Sequence, residues 1–430
     1  MIAPQPSLTA PGPMSRVRWW ILALLFFGTT VNFMDRVVLS ILAPQLQKSY
    51  AISDLQYGFI GSAFAFCYAF SQMPSGKLLD WIGIRRGYAL ALGGWSLMSM
   101  LHAVARGATS FTIVRALLGI TESPAFPGAA KAVAEWFPRP ERAFAFGFIN
   151  AGTNMGIIAA SMFVPWVADS FGWQWAFIGT GILGFLALCL WIPIYKKPAD
   201  HPGVSPAELA HINSDPPENS ASPRWLSLAR SPQAWSFALA KFITDSMWWF
   251  FVTWFPKYLN SEYHLNLLGV SLPLVVIYLI CDLGSIGGGW LSSFLIKRGA
   301  TVNRARKTAL LVAAFCAVPI ISAQYVHDKW TAVLLLGLVT AAHQAFSSNL
   351  YTLVSDMFPR NAVASVAGFG GTFGYFGASL FSMVVGYSVD KHHNYTFPFY
   401  CAGLAYLLAF GVIQILAPRL EPAQLDFAAK

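Results

Sequence analysis

Long apolar runs recur along the chain, at 19–45, 55–79, 87–105, 111–137, 143–171, 173–195, 235–259, 267–296, 308–325, 330–358, 363–389 and 397–418. About 20 predominantly apolar residues span a bilayer, and a helix is the open-ended structure that satisfies its own backbone in hydrocarbon. The pattern therefore predicts an all-α membrane protein of twelve transmembrane helices. A soluble globule is excluded, because 56% of the residues are hydrophobic and 11% are charged, against about 25% charged in soluble domains.

A net charge of +9 would suit a nucleic-acid binder, but the cations are sided. On the twelve-span map Arg85, Arg86, Arg139, Arg142, Lys196, Lys197, Lys297, Arg298, Arg304, Arg306 and Lys307 fall on the face that carries both termini, and Lys48, Arg106, Lys257, Lys329 and Lys391 on the other. This is the positive-inside distribution, which predicts a multi-pass membrane protein with both termini cytoplasmic. The first apolar run lacks a small-residue cleavage site and carries Asp35 and Arg36, so it is expected to be retained as a helix.

One long polar, proline-rich segment divides the apolar runs. The expected organisation is an N-terminal tail (1–18), a six-helix bundle (19–195), a cytoplasmic linker (196–233), a second six-helix bundle (234–418) and a C-terminal tail (419–430). Within the linker, Ser205 followed by Pro206 and Glu208 predicts a short helix with a capping box. The bundles repeat at an offset of 221 residues: Glu135-Trp-Phe-Pro-Arg139, Ala143, Gly147, Phe148 and Gly156 match Asp356-Met-Phe-Pro-Arg360, Ala364, Gly368, Phe369 and Gly377. Two related bundles joined by a linker can rock about a central site, the geometry of alternating access.

The loop Gly76-Lys-Leu-Leu-Asp80-Trp-Ile-Gly83-Ile-Arg85-Arg86 resembles the signature gating loop of the major facilitator superfamily, with Trp81 where that family usually has Arg. Its second-half counterpart, Gly289-Trp-Leu-Ser-Ser293, lacks the Asp. Asn32-Phe-Met-Asp35-Arg36, Arg115-Ala-Leu-Leu-Gly119-Ile-Thr-Glu122-Ser-Pro-Ala-Phe-Pro127 and Glu135-Trp-Phe-Pro together resemble the anion:cation symporters. The run from Ala342-His343-Gln344 through Asn349 to Arg360 is most similar to hexuronate transporters. The resemblance implies a proton-coupled importer of a sugar acid such as glucuronate or galacturonate, with galactonate, glucarate or an aromatic carboxylate as alternative cargo. It also implies a bacterial inner (plasma) membrane; a proton gradient as the energy source, no cofactor and a monomer are expected.

Charge inside a bilayer is costly, so ionisable residues there must face a partner or a cavity. Arg115 and Glu122 are two helical turns apart and share a face, while the adjacent Asp35 and Arg36 point about 100° apart. Arg36 and Arg115 are expected to grip a substrate carboxylate, because guanidinium is always charged and forks onto two oxygens; the alternative is that they only neutralise Asp35 and Glu122. The resemblance assigns proton coupling to Asp35 and Glu122. Lys241 and Asp245 can pair along one helix and form a selectivity pair. Tyr68, Asn154, Lys241, His343, Gln344 and Asn349 complete the expected binding set, and Asp282 has no evident partner.

Other features point away from competing classes. Gly152-x-x-x-Gly156 and Gly370-x-x-x-Gly374 would allow close approach between moving bundles, or simple packing within one. The five cysteines lie in apolar runs at no paired or metal-like spacing, and His392 and His393 have no further ligands, so no metal site is expected. No phosphate-cradling glycine loop occurs. A membrane enzyme using Glu122, His343 or Asp35, or a sensor without flux, remains an alternative class that the duplicated halves disfavour.

Overall fold

The computed structural model describes residues 14–214, 225–423 and 425. The stretch 1–13, the linker prolines Pro216, Pro217 and Pro223, and tail residues 424 and 426–430 lie outside the described residues. The fold is all-α. The first half contains α1 (Val17–Tyr50), α2 (Asp54–Ile82), α3 (Ile84–Leu101), α4 (Ala108–Glu122), α5 (Ala125–Trp136), α6 (Arg139–Phe171) and α7 (Trp173–Ile194). Two short helices, α8 (Pro206–Ile212) and α9 (Trp225–Arg230), belong to the linker. The second half contains α10 (Pro232–Tyr263), α11 (Ser271–Lys297), α12 (Val302–Ala317), α13 (Lys329–Met357), α14 (Arg360–His392) and α15 (Thr396–Leu416).

With α4 and α5 counted as one broken span, each half has six spans. Among the described residues, eight helical segments are long and apolar enough to cross a membrane by length and composition alone. The single span expected over 111–137 is instead interrupted after Glu122. Pro124 cannot donate a backbone hydrogen bond and its ring crowds the preceding turn, so α4 stops and α5 restarts. At Gly83 (φ +78°) and Gly172 (φ +96°) a single residue separates consecutive helices, in a left-handed conformation that favours glycine.

The linker helix starts where the sequence places it, but its capping box is only half formed. Ser205 accepts from the Glu208 amide, whereas the Glu208 carboxylate turns to the start of α1. There it accepts from Ser15 Oγ (2.5 Å), the amides of Val17 and Arg18, and the Arg18 guanidinium. Burial pushes this carboxyl up, but the hydrogen bonds outweigh it and hold its pKa below the usual value. The clamp therefore contributes stability at neutral pH and loses it as pH falls through the acid range.

The helix pairings repeat between halves: α1 packs on α6, α2 on α4 and α3 on α7, as α10 packs on α14, α11 on α13 and α12 on α15. The two GxxxG stretches serve the first of these pairings within each half. A side chain at Gly152 or Gly156 would strike Phe26 or Thr30 of α1, and one at Gly370 or Gly374 would strike Phe237 or Asp245 of α10. They do not lie between moving bundles.

The surface between halves is formed by α2 with α14, α6 with α11 and α1 with α10. Its cross-half hydrogen bonds, among the described residues, lie at mid-depth or towards the end distal to the termini. Asp390 at the end of α14 accepts from the Asp54 amide (3.1 Å), so a carboxylate of one half caps the first turn of a helix of the other. Lys257 pairs with Asp54, Tyr57 donates to the Thr253 carbonyl (2.9 Å), and Ser62 bonds Ser379 (2.8 Å). Gly58 and Gly386 let α2 and α14 touch backbone to backbone. At the proximal end Gly147, Gly287, Gly289 and Gly368 have nothing within 4 Å of where a side chain would start. Among the described residues, the seal between the halves is thus made at mid-depth and distally.

Gly386→Val would wedge this seal. Overpacking of about 1–3 kcal/mol shifts a two-state ratio about 5- to 150-fold. A cysteine at Ser62, in a background with the five native cysteines replaced, should then react with a water-soluble maleimide at least about fivefold faster. An unchanged rate would mean that this seam is not the gate.

Candidate functional site

Midway through the first half, Gly119 brings α4 against the backbone of α2 at Phe64 and Tyr68. This approach, with the end of α4 at Glu122, sets a carboxylate beside the middle of α1. Arg36 donates through Nε to Glu122 (2.7 Å), with both side chains essentially buried. Its Nη1 donates across the interface to the Tyr375 hydroxyl (2.9 Å) on α14. Aromatic faces enclose the guanidinium: its carbon lies 4.6 Å from the Phe33 ring centre, 4.9 Å from Tyr68 and 5.8 Å from Trp249. Tyr68 and Tyr375 stack at 4.0 Å.

Arg115, one helical face with Glu122, donates to the Arg36 carbonyl (3.2 Å). Its Nε and Nη2, like Arg36 Nη2, are buried without a hydrogen-bond partner among the described residues. Buried donors without partners are rare and costly, and a guanidinium in this condition is poised for an anion. Asp35 points away from this cluster. One oxygen accepts from Ser99 on α3 (2.6 Å), and Ser99 in turn bonds Thr180 on α7 (3.1 Å). Of the two adjacent residues, Arg36 meets the other half and Asp35 stays inside its own.

In the second half Lys241 pairs with Asp245 (2.7 Å), and its ammonium lies 4.9 Å from the centre of the Tyr351 ring. Gly374 lies against the Asp245 carboxylate, and the next residue is the Tyr375 that bonds Arg36. One short stretch of α14 thus touches both ion pairs. His343 Nδ1 bonds Tyr406 (3.0 Å), and its ring stacks on Trp248 at 4.9 Å. Gln344 reaches Cys281. Asn349 donates to the Gly288 and Ala345 carbonyls, both at 2.9 Å, and so ties α13 to α11. Asn154 donates across the interface to Asp282, the acid for which the sequence suggested no partner.

Tyr375 is the candidate site residue that sequence reading missed, and no motif marks it. The signature loop makes its contacts within the first half. Asp80 pairs with Lys131 of α5, which also donates to the Gly76 carbonyl (2.9 Å). Arg85 donates to the Ile192 carbonyl (2.8 Å). Gly83, Arg85 and Arg86 line a cleft of about 870 Å³ at the proximal end with Lys196 and Lys197. In the second half Arg306 bridges Asp356 (3.1 Å) and Ser292 (2.8 Å), the residue next to Ser293, which stands at the position of the missing acid. Among the described residues no cluster of His, Cys, Asp and Glu could hold a metal.

Removing one partner of a buried pair costs about 3–5 kcal/mol, because the other charge is left unpaired. Lys241→Met should therefore lower the thermal midpoint of the purified protein in detergent, and Lys241→Met with Asp245→Asn should recover most of the loss. A double variant as unstable as the single would refute the pairing.

The sequence profile of the Major Facilitator Superfamily matches residues 25–382. The D-galactonate transporter of Escherichia coli O6:H1 is 29% identical over 414 residues, covering 94% of this chain and 95% of that protein. The hexuronate transporter of Escherichia coli K12 is 32% identical over 381 residues, covering 87% and 88%. The probable galactarate/D-glucarate transporter GarP of the same strain is 30% identical, covering 91% and 93%. In structure the chain is similar to a bacterial homologue of the human lysosomal transporter Spinster in an inward-facing, occupied conformation, with TM-score 0.69, 18% identity and coverage of 93% and 95%.

Proposed function

We propose that this chain, which belongs to the Major Facilitator Superfamily, imports a sugar acid together with protons. It is a multi-pass membrane transporter and not an enzyme. Cargo and coupling are the inference. The observation that carries it is the buried fork of Arg115, with two donor nitrogens unpartnered beside an Arg36 whose remaining bond to the other half is to a phenol. A carboxylate entering here gains charge-assisted hydrogen bonds that the Tyr375 hydroxyl only partly imitates. Taking up the Arg36 bond, it would release Tyr375 and with it a contact between the halves.

Charge balance argues for protons. At mid-depth three cations, Arg36, Arg115 and Lys241, stand among four carboxylates, Asp35, Glu122, Asp245 and Asp282. With every group ionised this interior repels an anion. A like charge at about 8 Å costs about 2 kcal/mol at an effective dielectric of about 20. A monoanion therefore enters most readily when carboxylates are protonated, and two protons make the loaded site neutral. Glu122 is the foremost carrier, since it shares Arg36 with the incoming anion, and Asp35 is the second. Inward movement of one anion with two protons carries one positive charge, worth about 2.3 kcal/mol per 100 mV. The relatives named for hexuronate, galactonate or galactarate/glucarate transport support a polyhydroxylated acid, and we favour a hexuronate; the amide of Asn154 and the phenol of Tyr68 suit its hydroxyls.

Two variants separate binding from coupling in proteoliposomes. Arg115→Gln should weaken uronate counterflow at least about 30-fold, in keeping with the loss of one partner in a buried charged contact. Glu122→Gln should keep counterflow, which needs no net proton movement, and lose uphill accumulation driven by a pH gradient. Wild-type counterflow in the first would remove Arg115 from the site; uphill accumulation in the second would remove Glu122 from coupling.

A further inference from the structure

The charges of the interior are unevenly matched. In the first half Arg36 is paired with Glu122, and Arg115 keeps unpartnered donors. In the second half the mid-depth cation Lys241 is already neutralised by Asp245. Asp282 stands on that side facing a neutral partner, the Asn154 amide of the opposite half. Only one of its oxygens accepts that bond, and among the described residues the other has no donor. Asp282 is partly exposed although it lies well inside a membrane-spanning helix. A carboxylate there is tolerable where it meets the polar space between halves, and the bond to α6 shows that it faces that way.

We infer that Asp282 is a specificity-determining residue that selects cargo with one ionised carboxylate over cargo with two. The inference rests on the proposed sugar-acid reading and names the substrate class for that site. A monoacid places its carboxylate on Arg115 and Arg36 and turns hydroxyls towards the second half, where the open oxygen of Asp282 accepts from an O–H. A diacid of the same length turns a second carboxylate to that side. It meets the like charge of Asp282 and a lysine already occupied by Asp245. The backbone of the cargo is shared by the two classes, so discrimination comes from this repulsion.

The test is competition for uronate uptake at pH 7 in proteoliposomes, with glucuronate and its diacid counterpart glucarate as competitors. In the wild type glucuronate should compete better. Asp282→Asn preserves size and can still bond Asn154, and it should improve glucarate relative to glucuronate by about tenfold. Asp282→Glu keeps the charge, and should leave the ratio near the wild-type value. Monodisperse gel filtration of both variants establishes that they fold. Equal changes for both competitors in Asp282→Asn, or a ratio in Asp282→Glu shifted as far as in Asp282→Asn, would overturn the inference and leave sugar-acid transport standing. A wild type that takes up neither compound would overturn the transport reading and this inference with it.

Discussion

The buried bond between Arg36 and Glu122 is the constraint around which the first half is arranged. Neither charge could remain in this environment alone, because an unpaired ion in a membrane interior is unfavourable by several kcal/mol. The pair holds together only if the middle of α1 and the end of α4 meet at one depth. Gly119 makes that possible by letting α4 lie directly on α2. Pro124 then ends α4 just after Glu122. The aromatic walls around Arg36 follow, since a planar guanidinium stacks on rings where an ammonium would need water.

The second half solves the same problem differently. Lys241 and Asp245 sit on one helix and neutralise each other without help from a neighbour. The first half therefore holds a buried cation, Arg115, two of whose donor nitrogens lack partners among the described residues, and the second half does not. That asymmetry, on a scaffold whose helix pairings repeat, gives a central site a charged end and a neutral or acidic end. In the transport proposed above, it orients an anion before any hydroxyl is read.

Much of this was legible in the chain itself. Apolar runs located the spans to within a few residues, because the bilayer imposes one length on every helix. The charged residues of the site were legible because intramembrane charge is rare enough to count. Three things were not. The break at Pro124 was hidden because Phe111 to Phe137 reads as one apolar run, and proline is often tolerated inside membrane helices, as Pro44, Pro74 and Pro256 are here. The glycine motifs show that two backbones approach, not whether the partner helix is in the same half. Tyr375 has no signature, since its role arises from the partner that α14 brings to it. The orientation of Asp35 was open for a related reason: spacing divides it from Arg36 but does not say which of the two faces the axis.

Where the bonds fall also bears on how the molecule can move. Inside each half the ties include ion pairs: Arg36 with Glu122, Lys241 with Asp245, Arg306 with Asp356 and Lys131 with Asp80. Between the halves at mid-depth, the ties seen among the described residues join a charged group to a neutral one or two hydroxyls to each other, as in Arg36 with Tyr375, Asn154 with Asp282 and Ser62 with Ser379. The cross-half ion pair, Lys257 with Asp54, stands at the distal end, where both side chains retain some exposure. Parting the halves therefore separates no ion pair at mid-depth, a step that would cost about 3–5 kcal/mol. It exchanges hydrogen bonds that water or cargo can replace, and at the rim it breaks a pair that solvent can reach. A transporter must cross this barrier on every cycle, and strong bonds kept within each half with replaceable ones between them keep the two bodies rigid and the interface labile.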